Sequence, residues 1–368
     1  MDVYLMRQFI LAAIIFALSF LIYVYPVNVL AHLLVGARII EPLALIPAAV
    51  IALAVLVYFR THATSPFLSG MIYYGMGIGF IGFFVVNIGL LISLAVPEFV
   101  YETGLACLIF WVVACLKSIV NGQRIQLKTI PVTSHKIDQP LNLVFISDVH
   151  LGSNSKRHLE KICTTIDGLD YDHLLIGGDL YDSSSFDVDD LSPLKAIQKP
   201  VLFVTGNHEY YVRDHTDKVA ALAHYNITTL DNRSVQFGKL NIIGISDNQA
   251  PKLQSEIARG LVREDSFNLL MVHQPSIWDS APDSTDLMLS GHTHNGQIFP
   301  FSLLVRLRFR TVYGIYRRLN SMLYVSSGSG TWGPRMRLGT QNEIIRIEIS
   351  PQNLSLIHIS EPTRPLDI

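Results

Sequence analysis

Hydrophobic and polar positions follow two different patterns along this chain. Through residue 120 the apolar residues run in stretches over 9–34, 39–59, 70–96 and 99–120. Each is about long enough to cross a hydrocarbon core, for which about 20 residues suffice. The pattern predicts a transmembrane region of about four helices over 1–120. Pro26 and Asn28 interrupt the first stretch, and Pro97 leaves almost no loop between the third and fourth, which predicts a tight hairpin. From Leu141 onward the apolar runs shorten and end in polar clusters. They predict strands at 141–146, 173–176, 201–204, 240–245, 268–272, 286–289, 322–325 and 343–349, with a helix near 156–169. Strands alternating with helices predict an α/β domain.

Composition sharpens this division. Of 368 residues, 50% are hydrophobic and 16% charged, against about 25% charged in soluble domains. The deficit is local, because residues 1–120 carry only eight charged side chains. The expected organisation is a transmembrane region at 1–120, a linker at 121–140, an α/β domain at 141–349 and a tail at 350–368. The tail resembles translated adaptor sequence and receives no function. Net charge −2 argues against a nucleic-acid binder, which shows a basic excess. Cys107, Cys115 and Cys163 form neither a disulfide framework nor a thiolate metal motif.

With four spans, Arg7, Arg60, Lys117, Arg124 and Lys128 flank one membrane face and Arg38 the other. This predicts a multi-pass cell-membrane protein whose α/β domain is cytoplasmic. The third stretch holds Gly75-Met76-Gly77-Ile78-Gly79, the mark of close helix packing. No charged residue or histidine lies mid-span, so anchoring is expected rather than transport.

The polar clusters carry the chemistry. Asp148 and His150 follow the first predicted strand, Asp179 the second and Asn207 the third; His273, His292 and His294 follow later ones. In open α/β sheets ligands gather at the carboxyl ends of strands. Imidazole and carboxylate donors suit Mn, Fe, Zn, Co or Ni. Seven donors exceed what one open site needs and suit two divalent ions sharing a carboxylate. Asp148 and His150 converge only if the chain turns sharply there.

Asp148-Val149-His150, Gly178-Asp179, Gly206-Asn207-His208-Glu209, His273 and Gly291-His292-Thr293-His294 resemble the calcineurin-like metallophosphoesterase pattern. The resemblance implies a four-layer α/β/β/α sandwich with mixed sheets over 141–349 and a dinuclear site. Asp148, His150, Asp179 and His294 would hold one ion; Asp179, Asn207, His273 and His292 the other. His208 would act catalytically, protonating the leaving alkoxide or stabilising the transition state, while hydroxide generated between the ions attacks phosphorus. Asp182 and Glu209 read equally as supports for ligand histidines or as solvated loop acids.

Residues 301–340 contain seven arginines and no acid, interleaved with apolar residues. That composition suits an anionic lipid surface or a charge-blunted edge strand. The Gly328–Arg335 loop resembles that of membrane-associated family members, some of which act on lipid-linked phosphates such as UDP-diacylglucosamine. Arg335 and Arg337 are candidate phosphate contacts. The expected activity is hydrolysis of a phosphomonoester, phosphodiester or pyrophosphate in a membrane-presented, lipid-linked substrate. The alternatives are a tethered hydrolase of soluble nucleotides or phosphoproteins, and a non-catalytic membrane sensor or scaffold.

Overall fold

The computed structural model describes residues 3–61, 66–183 and 186–352. The predicted tail therefore lies outside the described residues beyond position 352. Helix α1 (Val3–Ser19) passes through a wide π turn at Phe20–Val24 into α2 (Tyr25–Val35). Pro26 follows close on the π turn, and proline and π turns are both places where a helix kinks. Helix α3 (Leu45–Thr61), α4 (Pro66–Ala95) and α5 (Val100–Gln123) complete the apolar region. Among the described residues, three helices are long and apolar enough to cross a membrane: Leu5–Val35, Phe67–Ala95 and Pro97–Gln123. The second predicted span is shorter, an apolar helix at Pro42–Tyr58, so the expected count of four is met at three positions.

The glycines of α4 serve close packing. A Cβ at Gly79 would fall on the Ile22 carbonyl, and one at Gly82 on the Trp111 ring.

The α/β part comprises β1 (Ile125–Ser134), β2 (Leu141–Ile146), α6 (Lys156–Asp167), β3 (His173–Ile176), β4 (Val201–Phe203), α7 (Asn207–Tyr211), α8 (His215–Ala221), β5 (Ile227–Thr229) and β6 (Arg233–Phe237). It continues with β7 (Leu240–Ile245), α9 (Pro251–Leu261), β8 (Phe267–Val272), β9 (Leu287–Ser290), α10 (Phe301–Arg308), β10 (Gly314–Arg318), β11 (Ser321–Val325) and β12 (Asn342–Pro351). Two six-stranded mixed sheets form, in the orders β1-β12-β2-β3-β4-β5 and β10-β11-β9-β8-β7-β6. Strand periodicity sorts the core. Leu143 and Phe145 of β2 face the second sheet, with Leu269 and Met271 of β8. Val144 and Ile146 face α6, packing with Leu159, Ile162 and Ile166. Behind the second sheet, Ile243, Ile245, Leu270 and Val272 bury Ala258 of α9 and Trp278. Both faces of the central strands are covered, which is why those strands are continuous apolar runs.

The segment expected to be a linker instead contains β1, which pairs parallel with β12 along its whole length, from Ile125↔Asn342 to Ser134↔Pro351. Its residues are mostly exposed, so it lacks the apolar run that betrays a central strand. Helix α5 leads directly into β1, and the 330s loop plugs into the apolar helices. Met336 is buried with Val29, Ile81, Val86 and Trp111, Arg337 N donates to Ser118 O at 2.8 Å and Asn342 Nδ2 to Gly122 O at 2.8 Å.

Candidate metal centre

Five of the seven predicted ligands adopt left-handed backbone: Asp148 (φ 53°), His150 (φ 51°), Asp179 (φ 53°), His292 (φ 71°) and His294 (φ 48°). Non-glycine residues rarely do so, and each such conformation costs on the order of 1–3 kcal/mol. The sharp turn that Asp148 and His150 require is therefore realised. Glycine permits the convergence at a close approach: a Cβ on Gly291 would strike Asp148 Oδ2.

The donors gather into two adjoining groups. Asp148, His150 and His294 offer ligand atoms within 4.8 Å of one another, and so do Asp179, His273 and His292. Asp179 Oδ2 lies between them, 3.7 Å from His150 Nε2 and 3.0 Å from His273 Nε2. His150 Nε2 and His294 Nε2 face each other at 3.1 Å. His292 N donates to Asp148 Oδ1 at 3.0 Å, and Ser147 Oγ to Asp148 Oδ2 at 2.6 Å.

Whether the donor set fits cations is tested by its orphaned atoms. Asn207 Oδ1 and His273 Nε2 are buried with no hydrogen-bond partner. His273 Nε2 lies 3.0 Å from Asp179 Oδ2 as a charge contact. His273 Nδ1 instead lies 2.8 Å from Gly177 O, so Nδ1–H donates to the carbonyl and Nε2 presents its lone pair, the usual support for a metal-binding imidazole. Buried acceptors without donors fit cations.

Electrostatics follow the same division. Burial, reinforced by neighbouring His273, pushes His292 down to about 3, and burial next to His150 and Arg337 holds His294 well below the usual imidazole range. Both are neutral near pH 7 and free to ligate. Burial alone would raise Asp179, but His273, His208 and His150 outweigh it and hold its carboxyl well below the usual range. His273 moves well above its ordinary value, its burial outweighed by Asp179, so a cation taken up at Nε2 displaces a proton.

His208 sits at the mouth with its side chain 17% exposed and Nε2 4.0 Å from Asp179 Oδ2. Its ring packs on His150, Tyr211 and Trp332 at centroid distances of 4.8, 5.4 and 5.8 Å. Glu209 is not a solvated loop acid: it is fully buried and accepts from the N–H groups of Asp179, Leu180, Tyr181 and Gly206. Burial and the Asp179 charge nevertheless push it up to about 8.

Arg337 is corrected. It is fully buried, and its guanidinium donates to Asn342 Oδ1, Thr340 Oγ1 and the carbonyls of His294, Ser327 and Gly330. Five N–H groups meet five oxygens, leaving none for phosphate. It braces the loop behind His294. Arg335 is half-buried, and its charge is felt by His158 of α6. The arginine-rich segment does not form one basic face. Arg310 pairs with Asp279 and Arg318 with Asp283, while Arg306 and Arg308 lie on α10.

A cavity of about 480 Å³ opens beside His292 and His294. Sequence reasoning missed it, because its walls come from α4, α10 and the Trp332 loop, which are distant in the chain.

A family model described as calcineurin-like phosphoesterase matches residues 141–296. A metallophosphoesterase of Helicobacter pylori is 36% identical over 242 residues, covering 62% of this chain and 65% of its own length. The chain thus spans just under two thirds of that relative. A metallophosphoesterase of Campylobacter jejuni is 30% identical, covering 68% of this chain and 70% of its own. A transmembrane protein with metallophosphoesterase domain from Danio rerio is 31% identical, covering 67% and 62%. With a matching family model and these relatives, the chain belongs to the calcineurin-like metallophosphoesterase family.

Proposed function

We propose that this protein is a membrane-anchored hydrolase of phosphate esters working with two divalent cations. Asp148, His150 and His294 hold one, Asn207, His273 and His292 the other, and Asp179 is shared. The observation that carries this reading is the single oxygen, Asp179 Oδ2, standing between His150 Nε2 and His273 Nε2 beside the orphaned Asn207 Oδ1. When bound, such a pair activates water and offsets charge on the phosphoryl oxygens. The chain's own residues divide the rest. Asp182 places its charge beside His150 Nδ1, Glu209 ties the Asp179 turn to the Gly206 turn, and His208, pushed by burial down to about 4 and so neutral near pH 7, donates its ring N–H to the leaving oxygen from the mouth.

The apolar helices act as an anchor, crossing the membrane four times, with 141–349 as the catalytic unit in the cytoplasm. The hydrogen bond from Arg60 Nη2 to Gln8 Oε1 at 3.0 Å supports this topology, since it holds two of the basic helix ends, at Arg7 and Arg60, on one face. The substrate is membrane-presented. The α10 helix supports this, with Leu303, Leu304 and Leu307 exposed beside Arg306 and Arg308.

The test uses full-length protein in detergent, loaded with Mn. Hydrolysis of bis-p-nitrophenyl phosphate or p-nitrophenyl phosphate, with about two ions per chain, is expected; hydrolysis of neither would leave a metal-binding scaffold. A panel of phospholipids in mixed micelles, run against soluble nucleotides and a phosphopeptide, then separates the substrate classes.

A further inference from the structure

The cavity beside the metal centre has walls of two kinds. At one end lie His292, Thr293 and His294; the remaining lining includes Met76, Phe80, Leu304, Val305 and Trp332. Met76 and Phe80 belong to α4, whose 67–95 stretch is long and apolar enough to cross a membrane. Phe80 meets Phe301 of α10 at 6.3 Å between ring centroids, so a membrane-crossing helix and a surface helix close around the same space. Phe309, also in the lining, packs on His292 at 5.3 Å.

Charge sorts the occupant further. Among the described residues no acidic side chain lines the cavity, and Arg308 stands at its wall. Leu303 and Leu307 continue the apolar surface outward along α10, the latter 85% exposed. An apolar pocket of a few hundred Å³ is the size that encloses a small ligand. One that joins a phosphate-binding centre to a membrane-crossing helix fits an amphiphile entering from the bilayer, chain first along α4.

We propose that the cavity between α4 and α10 seats an aliphatic chain of the substrate, so that the scissile phosphate is joined to that chain within a few bonds. A bulky sugar or nucleotide between chain and phosphate does not fit, because the apolar wall begins at the ligand histidines themselves. Such a group is accommodated only on the leaving side, toward His208 and bulk water. This inference rests on the phosphoester hydrolysis proposed above and adds the recognition site.

The experiment uses full-length, Mn-loaded protein and alkyl p-nitrophenyl phosphodiesters with ethyl, hexyl and decyl chains, each below its micellar concentration. Each methylene taken into the cavity contributes about fourfold to kcat/KM, from roughly 0.8 kcal/mol per buried CH₂, until the space is filled. Val305→Trp, which occupies the cavity, is expected to collapse the decyl-to-ethyl ratio of kcat/KM. A decyl phosphonate carrying a terminal diazirine, photolysed with unmodified protein in nanodiscs, should label Met76, Phe80, Leu304 or Val305.

Equal kcat/KM across the chain series, with the ethyl ester hydrolysed, overturns the chain site and leaves the hydrolase reading intact. A steep series that survives Val305→Trp, or labelling confined to other residues, also overturns it by putting the chain elsewhere. Hydrolysis of no member removes the hydrolase reading itself; labelling of the named residues would still establish the cavity as an amphiphile site.

Discussion

Asp182 Oδ2 lies 3.3 Å from His150 Nδ1, while Nε2 of the same ring faces Asp179 and His294. Nδ1 is buried without a hydrogen-bond partner, and the carboxylate beside it favours a proton on that nitrogen. Asp182 is itself held by Ser153, through N at 3.0 Å and Oγ at 2.6 Å. Gly333 N donates to Ser153 Oγ at 3.0 Å, so the Trp332 loop is tied to the same support.

Asp182→Asn is the direct test of that support. The amide keeps the volume and the Ser153 contact but weakens the hold on the imidazole. Metal affinity should fall by about 10–100-fold, the usual effect of losing a partner behind a ligand, with the unfolding temperature of the metal-free protein little changed. Titration with Mn followed by metal analysis reads the shift. Unaltered affinity would show that the 3.3 Å approach is incidental.

His208→Ala separates chemistry from metal binding. The ring is not among the seven donors, yet it sits over the centre between His150 and Trp332. Metal content should stay at the unmodified level while kcat falls by about 10²–10⁴-fold, the range for a positioned general acid. The loss should be smallest with p-nitrophenolate, which leaves without a proton, and largest with alkoxide leaving groups. Equal losses across leaving groups would rule out proton donation.

The strands were legible because both faces of each central strand are buried, which forces near-continuous apolar runs; β2, β3 and β7 lie where the pattern places them. The donors were legible because strand ends feed one edge of the sheets, so short polar motifs after each run converge. The role of Arg337 was hidden. Its neighbours in sequence are Met336 and Leu338, and only the tertiary fold gathers five acceptors around it in a sealed pocket. Strand β1 was hidden for the opposite reason, since an edge strand with Lys128 and Thr129 exposed leaves no apolar signature. Of the five arginines in 301–318, Arg310 and Arg318 pair with Asp279 and Asp283, acids that lie outside the segment.

Glu209 predicts a stability effect rather than a catalytic one. Its carboxylate closes four buried N–H groups belonging to two separate turns. Glu209→Ala strands all four, and an unsatisfied buried donor costs about 1–3 kcal/mol. A loss on the order of 3–5 kcal/mol is expected once water enters the space left behind. Glu209→Gln should fall between, because its amide group turns one acceptor into a donor facing N–H. Denaturant unfolding of the detergent-solubilised protein measures both; an alanine variant as stable as the parent would contradict the arrangement.

His158 predicts the sign of a pH dependence away from the metal centre. It is buried on α6, with Nε2 2.7 Å from the Ser329 carbonyl, and burial lowers its pKa below the ordinary value. The unfolded chain therefore binds a proton near pH 6.5 that the folded chain refuses. Stability from this group is complete above that pH and declines as the pH falls from 6.5 toward the lower folded value. His158→Gln cannot take up the proton. It should be less stable than the parent at pH 8, and the gap should narrow by pH 5.5, with both proteins kept metal-free so that ligand protonation affects them equally. Unfolding temperatures across that range give the difference directly. A gap that stays constant or widens on acidification would mean that His158 is protonated in the folded protein, with Ser329 O accepting from a charged ring.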